Sequence, residues 1–271
     1  VLTGADFSAL PTSEQAHVGG AISIDDANVT LNVIGSTFSN NTAQVGGAIG
    51  VTGNSDNYSL VVDDSLFSGN YIWGQNASGN HNGGGAIGAQ SVSSGSISIT
   101  GSTFYGNSAE SYADYEGGGA IYQNGTNTSM LITDSLFDSN YSDWCDGGAI
   151  YSYGGLTIDG STFTNNHTGP NRSNNVYGDG GAIFYCNGNG GDLTITDSLF
   201  SGNYTQGPST GNPNGGDGGA IALDSVRNNA VTISGSTFTN NSAANDGGAI
   251  STSNVSQNIL IEDTLFQENA G

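Results

Sequence analysis

Residues Asp217-Gly218-Gly219-Ala220-Ile221, followed by Val231-Thr232-Ile233-Ser234-Gly235-Ser236-Thr237-Phe238-Thr239-Asn240-Asn241, hold the plan of the whole fold. Three signals succeed one another in them: Gly-Gly-Ala-Ile, an apolar-x-apolar pair, and Phe-x-x-Asn. Gly-Gly-Ala-Ile occurs eight times, ending at Ile22, Ile49, Ile87, Ile121, Ile150, Ile183, Ile221 and Ile250. Phe-x-x-Asn also occurs eight times, at Phe38/Asn41, Phe67/Asn70, Phe104/Asn107, Phe137/Asn140, Phe163/Asn166, Phe200/Asn203, Phe238/Asn241 and Phe266/Asn269. The two motifs alternate strictly. Thr3-Gly4-Ala5-Asp6-Phe7-Ser8-Ala9-Leu10 opens the chain as a degenerate further copy, with Leu10 in place of Asn.

The positions five and seven residues before each Phe are apolar throughout, as in Ile195 and Leu193 before Phe200, while the residue between them varies. That is a period of two, which puts one face inward and one outward and marks a β-strand. Each repeat therefore predicts three short strands, at Gly-Gly-Ala-Ile, at the apolar pair and around Phe. Such a unit cannot bury a core alone, but stacking units in parallel buries a continuous one. The expected fold is all-β: a right-handed parallel β-helix of eight to nine three-strand coils, with Phe over Phe and a ladder of inward Asn amides satisfying turn backbone groups. It reads as one domain over 1–271, with 1–18 a degenerate first coil and 19–269 the eight regular ones. Starting inside a coil and stopping where the next Gly-Gly would come, it reads as an excerpt of a longer solenoid or a protomer that stacks end to end. The residue three before each Phe alternates between Gly (Gly35, Gly101, Gly160, Gly235) and Asp (Asp64, Asp134, Asp197, Asp263). We take this as a two-coil unit that doubles the spacing of like charges to about 9.6 Å.

The paired motifs resemble those of the chlamydial polymorphic membrane proteins, autotransporter adhesins whose passenger is a β-helix built on GGA(I/L/V) and FxxN repeats. The likeness runs from about Gly19 to Asn269, without the C-terminal translocator barrel of that family. It implies a secreted or surface-displayed, adhesive, non-catalytic module located at the cell surface or outside the cell.

Charge narrows the partners. The chain has 24 acidic residues and two cations, Arg172 and Arg227, for a net charge of -22. Such a surface repels nucleic acid, anionic lipid and acidic polysaccharide. No run approaches the roughly 18 apolar residues of a membrane helix, so direct insertion is not expected. The expected partners are the chain itself, end to end or laterally, or a glycan or protein on a host or cell surface. A polysaccharide hydrolase or lyase is the alternative. A lyase needs cations near the substrate carboxylate, which this chain scarcely has, and a hydrolase needs a convergent acid pair, which the sequence does not display. Ice binding ranks last, because the outward column lacks a Thr-x-Thr array.

Candidate contacts follow from loop length. Connections between Asn and the next Gly-Gly range from 42–45 to 71–83, 108–117, 167–179 and 204–217. Insertions thus project from one edge, where repeat proteins carry binding function. Rare side chains gather there: Trp73, His81, Tyr112, Tyr115, Trp144, His167, Arg172, Tyr177 and Tyr204. They serve partner contact, with rings stacking on sugar faces, or they pack the loops onto the rod. Immediately before Gly-Gly the last four coils carry Asp146, Asp179, Asp217 and Asp246. Stacked in register, these carboxylates either hold Ca²⁺ or cap a tight turn. No cofactor is required beyond that possible Ca²⁺. Cys145 and Cys186 lie beyond disulfide reach if the chain between them runs straight, and a bridge would need a folded-back loop. Twelve Asn-x-Ser/Thr glycosylation sequons occur, among them Asn57, Asn124 and Asn203, as expected by chance in a chain this rich in Asn, Ser and Thr. Nothing is inferred from them.

Overall fold

The computed structural model describes residues 2–3, 6–8, 18–53, 55–74, 83–111, 116–143, 145–169, 178–186, 190–207 and 216–271. Among them every regular element is a β-strand, and the strands pair in parallel, each with its counterparts one coil before and after. The chain is a parallel β-helix. The apolar-pair strands form a nine-stranded sheet, the Phe strands a second nine-stranded sheet, and the strands starting at each motif Ile an eight-stranded sheet. The degenerate opening copy belongs to the stack: Leu2 pairs with Val33 and Phe7 with Phe38.

Side-chain columns run through the interior. Neighbouring rings from Phe38 to Phe238 lie 4.7 to 4.8 Å apart and within 5° of parallel. That is the spacing of adjacent strands, so backbone pairing and ring stacking are satisfied by one repeat distance. The Asn column works as expected. Asn70 Oδ1 accepts both the backbone N–H and the Nδ2 of Asn41, each at 3.0 Å, while its own Nδ2 donates to the Phe38 carbonyl at 2.9 Å. The pattern repeats to Asn269. A second polar column escaped the sequence reading. The Ser two residues before each Phe takes the amide of the preceding coil on Oγ and donates to the carbonyl two residues upstream, as Ser65 does for Ser36 and Asp63. Its signal is plain in retrospect: Ser36, Ser65, Ser102, Ser135, Ser161, Ser198 and Ser236, then Thr264.

Three expectations need correction. First, the strand of the eight-stranded sheet begins at the motif Ile, and Gly-Gly forms the corner before it, where Gly83–Gly84 and Gly117–Gly118 make a two-stranded sheet of their own. A Cβ on Gly47 would lie 2.0 Å from the Gly85 carbonyl oxygen, so successive corners approach too closely for any side chain. Second, a fourth sheet exists. The two to four residues after each motif Asn pair in register from Thr42–Ala43 to Tyr204–Thr205, so the insertions begin in the sequence only beyond them. Third, the Gly/Asp alternation answers backbone and space rather than charge alone. All eight positions have left-handed φ, between +46° and +60°, a region that Gly adopts freely and Asp tolerates.

Asn203 is a rung of the expected ladder, and the fold closes the sequon that starts at it. Its side chain is fully buried. Its Nδ2 donates to the Phe163 carbonyl at 2.9 Å and to Asn241 Oδ1 at 3.0 Å, and its Oδ1 accepts the Asn166 N–H at 3.0 Å. Both protons of the amide nitrogen that would carry a sugar are engaged inside the rod.

The Gly-Gly corner comes in two forms. In early coils the first glycine donates its N–H backward, Gly46 to Val18 and Gly84 to Val45, both at 2.9 Å. In the last four coils the Asp–Gly peptide is turned over. Gly147 donates forward to the Asp179 carbonyl and Gly180 to that of Asp217, both at 2.8 Å. The glycine then takes φ of +74° at Gly147, +70° at Gly180, +65° at Gly218 and +69° at Gly247. Aspartate precedes glycine only in the turned-over form. Where the forms meet, the Gly117 carbonyl receives the Ser142 hydroxyl at 3.4 Å.

Cys145 and Cys186 are both buried thiols with no bridge between them. Cys145 Sγ lies 3.4 Å from the Asp143 carbonyl, and Cys186 Sγ lies 3.1 Å from the Tyr151 hydroxyl.

Candidate functional site

The Ile strand places alternate residues outward. In register along its outer face stand Tyr122, Tyr151, Phe184, Ala222 and Ser251. Tyr122 lies 5.1 Å from Tyr151 with its ring tilted by 37°, and Tyr151 stacks on Phe184 at 5.3 Å. With Ala222 and Cys186 they form a small buried cluster outside the main core. No ring continues the column past Phe184, since Ala222 is the next rung.

Where the rings stop, a cleft opens. Its volume is about 240 Å³, and it is lined by Asp146, Asp179, Phe184, Asp217, Ala222, Leu223, Asp224, Ser251 and Ser253. The Asp column before Gly-Gly forms one wall. Asp224, at the end of its Ile strand, forms the other with Ser253. Phe184 and Ala222 make the floor.

The column carboxylates are held by backbone amides one coil on. Asp146 Oδ1 accepts the Asp179 N–H at 2.9 Å. Asp179 Oδ1 accepts those of Gly216 and Asp217 at 2.7 and 2.8 Å. Asp217 Oδ1 accepts the Asp246 N–H at 3.0 Å and Asn245 Nδ2 at 2.8 Å. These bonds all fall on Oδ1. Asp224 accepts from Ser225 Oγ at 3.0 Å and from Asn254 Nδ2 at 3.3 Å. Among the described residues no three His, Cys, Asp or Glu side chains converge as a metal-binding group would.

Crowding raises the proton affinity of this wall. Burial, and then the neighbouring Asp179 carboxylate, push Asp146 well above the usual carboxylate range, with Glu116 and Asp224 adding to the push; the Asp179 amide opposes it. Burial pushes Asp179 up to about 6, with Asp217 and Asp224 adding to it and the amides of Asp217 and Gly216 working the other way. Behind the cleft, burial raises Cys186 to about 12 and lifts Tyr151 well above its ordinary value.

Of the aromatic contact candidates, His167 and Tyr204 are described in full. His167 stacks between Tyr141 and Tyr204 at 4.6 Å on each side, on the outer face of the fourth sheet. Burial lowers its pKa. Rings stacked in a file turn their edges, not their faces, to solvent. Trp73 sits in the strand Tyr71–Gly74, opposite Glu110, with only its backbone described. His81, Tyr112, Tyr115, Trp144, Arg172 and Tyr177 lie outside the described residues. The sequence reading singled out the Asp column but missed Phe184, Ala222 and Asp224, which lie one, one and three residues past a motif Ile and could be found by aligning those outward positions.

Four stretches match the family model of the Chlamydia polymorphic membrane protein (Chlamydia_PMP) repeat: residues 35–52, 101–124, 160–185 and 235–253. Each begins at a Gly three residues before Phe and runs through the following Gly-Gly-Ala-Ile, so the matches fall on alternate coils. No curated protein and no solved structure matches the chain. The chain is thus a parallel β-helix repeat protein that is similar to the polymorphic membrane proteins in the repeat four of its coils carry.

Proposed function

We propose that this chain is a non-catalytic, surface-displayed β-solenoid of the adhesin type, which holds variable insertions along one edge of a rigid rod for contact with another surface. The observation that carries this reading is the contrast between core and edge. Phe and Asn repeat with constant spacing in the eight regular coils, with Ser in seven of them and Thr in the eighth, whereas the segment after the fourth-sheet strand runs from a few residues to more than ten. Such a chain keeps its frame constant from coil to coil and lets one margin vary. The likeness to a repeat of membrane-surface proteins supports the location.

The test has two arms. Antibody against the chain should label intact source cells, and proteinase K applied outside should remove that label. Beads coated with the purified chain should adhere to host cells, and shortening 75–82, 170–177 or 208–215 should reduce adhesion while leaving the melting temperature unchanged. Label that appears only after permeabilisation, or adhesion indifferent to all three deletions, would count against the reading.

A further inference from the structure

We infer that the cleft beside Phe184 is a binding site for a single arginine side chain presented by a basic protein partner, its guanidinium taking the place of the missing ring above Phe184. The inference rests on the surface-module reading only for the source of the partner.

Four features of the cleft select that group. The first is size: about 240 Å³ falls below the roughly 300–1,000 Å³ of small-molecule sites and suits one side chain rather than a sugar chain. The second is shape. The outer column presents rings at Tyr122, Tyr151 and Phe184 and then stops at Ala222, so the vacated rung is a slot for something flat. The third is charge. Asp179 and Asp217 stand on one side and Asp224 on the other, and the amide bonds to the column occupy only Oδ1 of Asp179 and Asp217. A guanidinium stacks on an aromatic face while its edge N–H groups meet carboxylates in the same plane; an ammonium does neither as well. The fourth is the absence of a lysine anywhere in the chain, which makes the charge a partner would supply scarce within the chain itself.

The proton affinity of the wall points the same way. Burial holds Asp146 and Asp179 above their usual range, and a cation between the walls would relieve the repulsion that adds to it. Glu116, Asp217, Asp224 and Cys186 are the other titratable groups around this pair.

The experiment is calorimetric titration of the whole chain with blocked Gly-Arg-Gly, Gly-Lys-Gly and Gly-citrulline-Gly peptides at low salt and neutral pH. The arginine peptide should bind, the lysine peptide about fivefold or more weakly, and the citrulline peptide not measurably. Ala222→Phe extends the ring column into the slot and should abolish binding with the melting temperature kept. Asp224→Asn should weaken binding about tenfold, and it decides the matter if Ala222→Phe fails to fold. Equal affinity for arginine and lysine peptides, or undiminished binding by Ala222→Phe or by Asp224→Asn, would overturn the inference. Arg172 stands seven residues before Asp179 in the sequence. Binding seen only after Arg172→Ala would assign the slot to the chain's own arginine and equally overturn it. None of these results bears on surface labelling, so this inference and the surface reading can fail separately.

Discussion

Asp64 leans over Gly101: its Oδ1 lies 2.6 Å from the point where a Cβ on that glycine would stand. Asp134 stands over Gly160 at the same distance, and Asp197 over Gly235 at 2.2 Å. The alternation of Asp and Gly is therefore a fit between successive coils, a carboxylate occupying the room its neighbour leaves.

That fit separates backbone strain from crowding. Gly106 has φ of +59°, close to the +57° of Gly101, but nothing within 4 Å of its Cβ position. Gly106→Ala should cost about 1 kcal/mol for the left-handed conformation alone. Gly101→Ala should cost roughly 1 kcal/mol more, because Asp64 must swing away. Adding Asp64→Gly should bring the second cost down to the first. Thermal melts of Gly101→Ala, Asp64→Gly and the double variant form the cycle, with Gly106→Ala as the strain-only reference, and equal losses for Gly101→Ala and Gly106→Ala would refute the fit.

The Asn column predicts a steep penalty. Asn140 accepts the Asn107 N–H and Nδ2 at 3.1 and 3.0 Å and donates to the Phe104 carbonyl and Asn166 Oδ1 at 3.0 and 2.9 Å. Asn140→Ala strips four buried groups of a partner and should cost roughly 3–5 kcal/mol. Asn140→Asp should be worse at neutral pH, because a carboxylate faces two acceptors without a proton to give, and it should recover in part on acidification. Hydrogen exchange of the Asn107 amide reads the local effect, since solenoid unfolding need not be all-or-none.

The Asp wall makes stability depend on pH in a defined direction. Asp179 titrates at about 6 in the fold, against an ordinary value near 4 when unfolded, so the folded state holds the proton more tightly. Its contribution is complete below about pH 4 and is lost as pH rises through about 6. The melting temperature should therefore climb between pH 7.5 and 5. Asp179→Asn, which cannot ionise, should flatten that climb by an amount on the order of 1–2 kcal/mol. A variant with the same pH slope as the parent would show that the gain comes from general charge repulsion in an acidic chain.

The thiols give a simple check. Both cysteines are buried, and burial lifts Cys186 to about 12, so neither should be labelled by a thiol reagent in the native protein at pH 8. Both should be labelled in denaturant without prior reduction. A product two mass units lighter that resists labelling would reveal a bridge the fold does not have.

Much of this was legible because the repeat is internal. Phe over Phe and Asn over Asn follow from motifs that recur eight times, and Leu193 and Ile195 betray their strand by spacing alone. Asn203 shows the other side of that rule: its local triplet reads as a sugar acceptor, and only its place in the column reveals an amide turned inward. The fourth sheet was harder, since Tyr204-Thr205 shows too short an alternation to be read as a strand until its neighbour His167-Thr168 lies beside it. The cleft was harder still. Its walls and floor come from Asp179, Phe184 and Asp224, on segments that meet only through the stacking of coils, and the decisive feature is a side chain that Ala222 lacks. Sequence periodicity finds what recurs; a site made by the failure of a column to continue leaves no motif.

The reversal of the corner peptide between Gly118 and Gly147 sets a rule for how such a chain can grow. Copying coils within either half joins like to like, and every amide finds a carbonyl. Excising coils across the middle recreates the one junction already present, carbonyl against carbonyl, which a Ser142 hydroxyl can bridge. A tandem duplication spanning the middle would instead set a late corner before an early one and bring two N–H groups face to face, the less forgiving arrangement for buried backbone. Genetic lengthening of this rod is thus open on either side of Asp146 and obstructed across it.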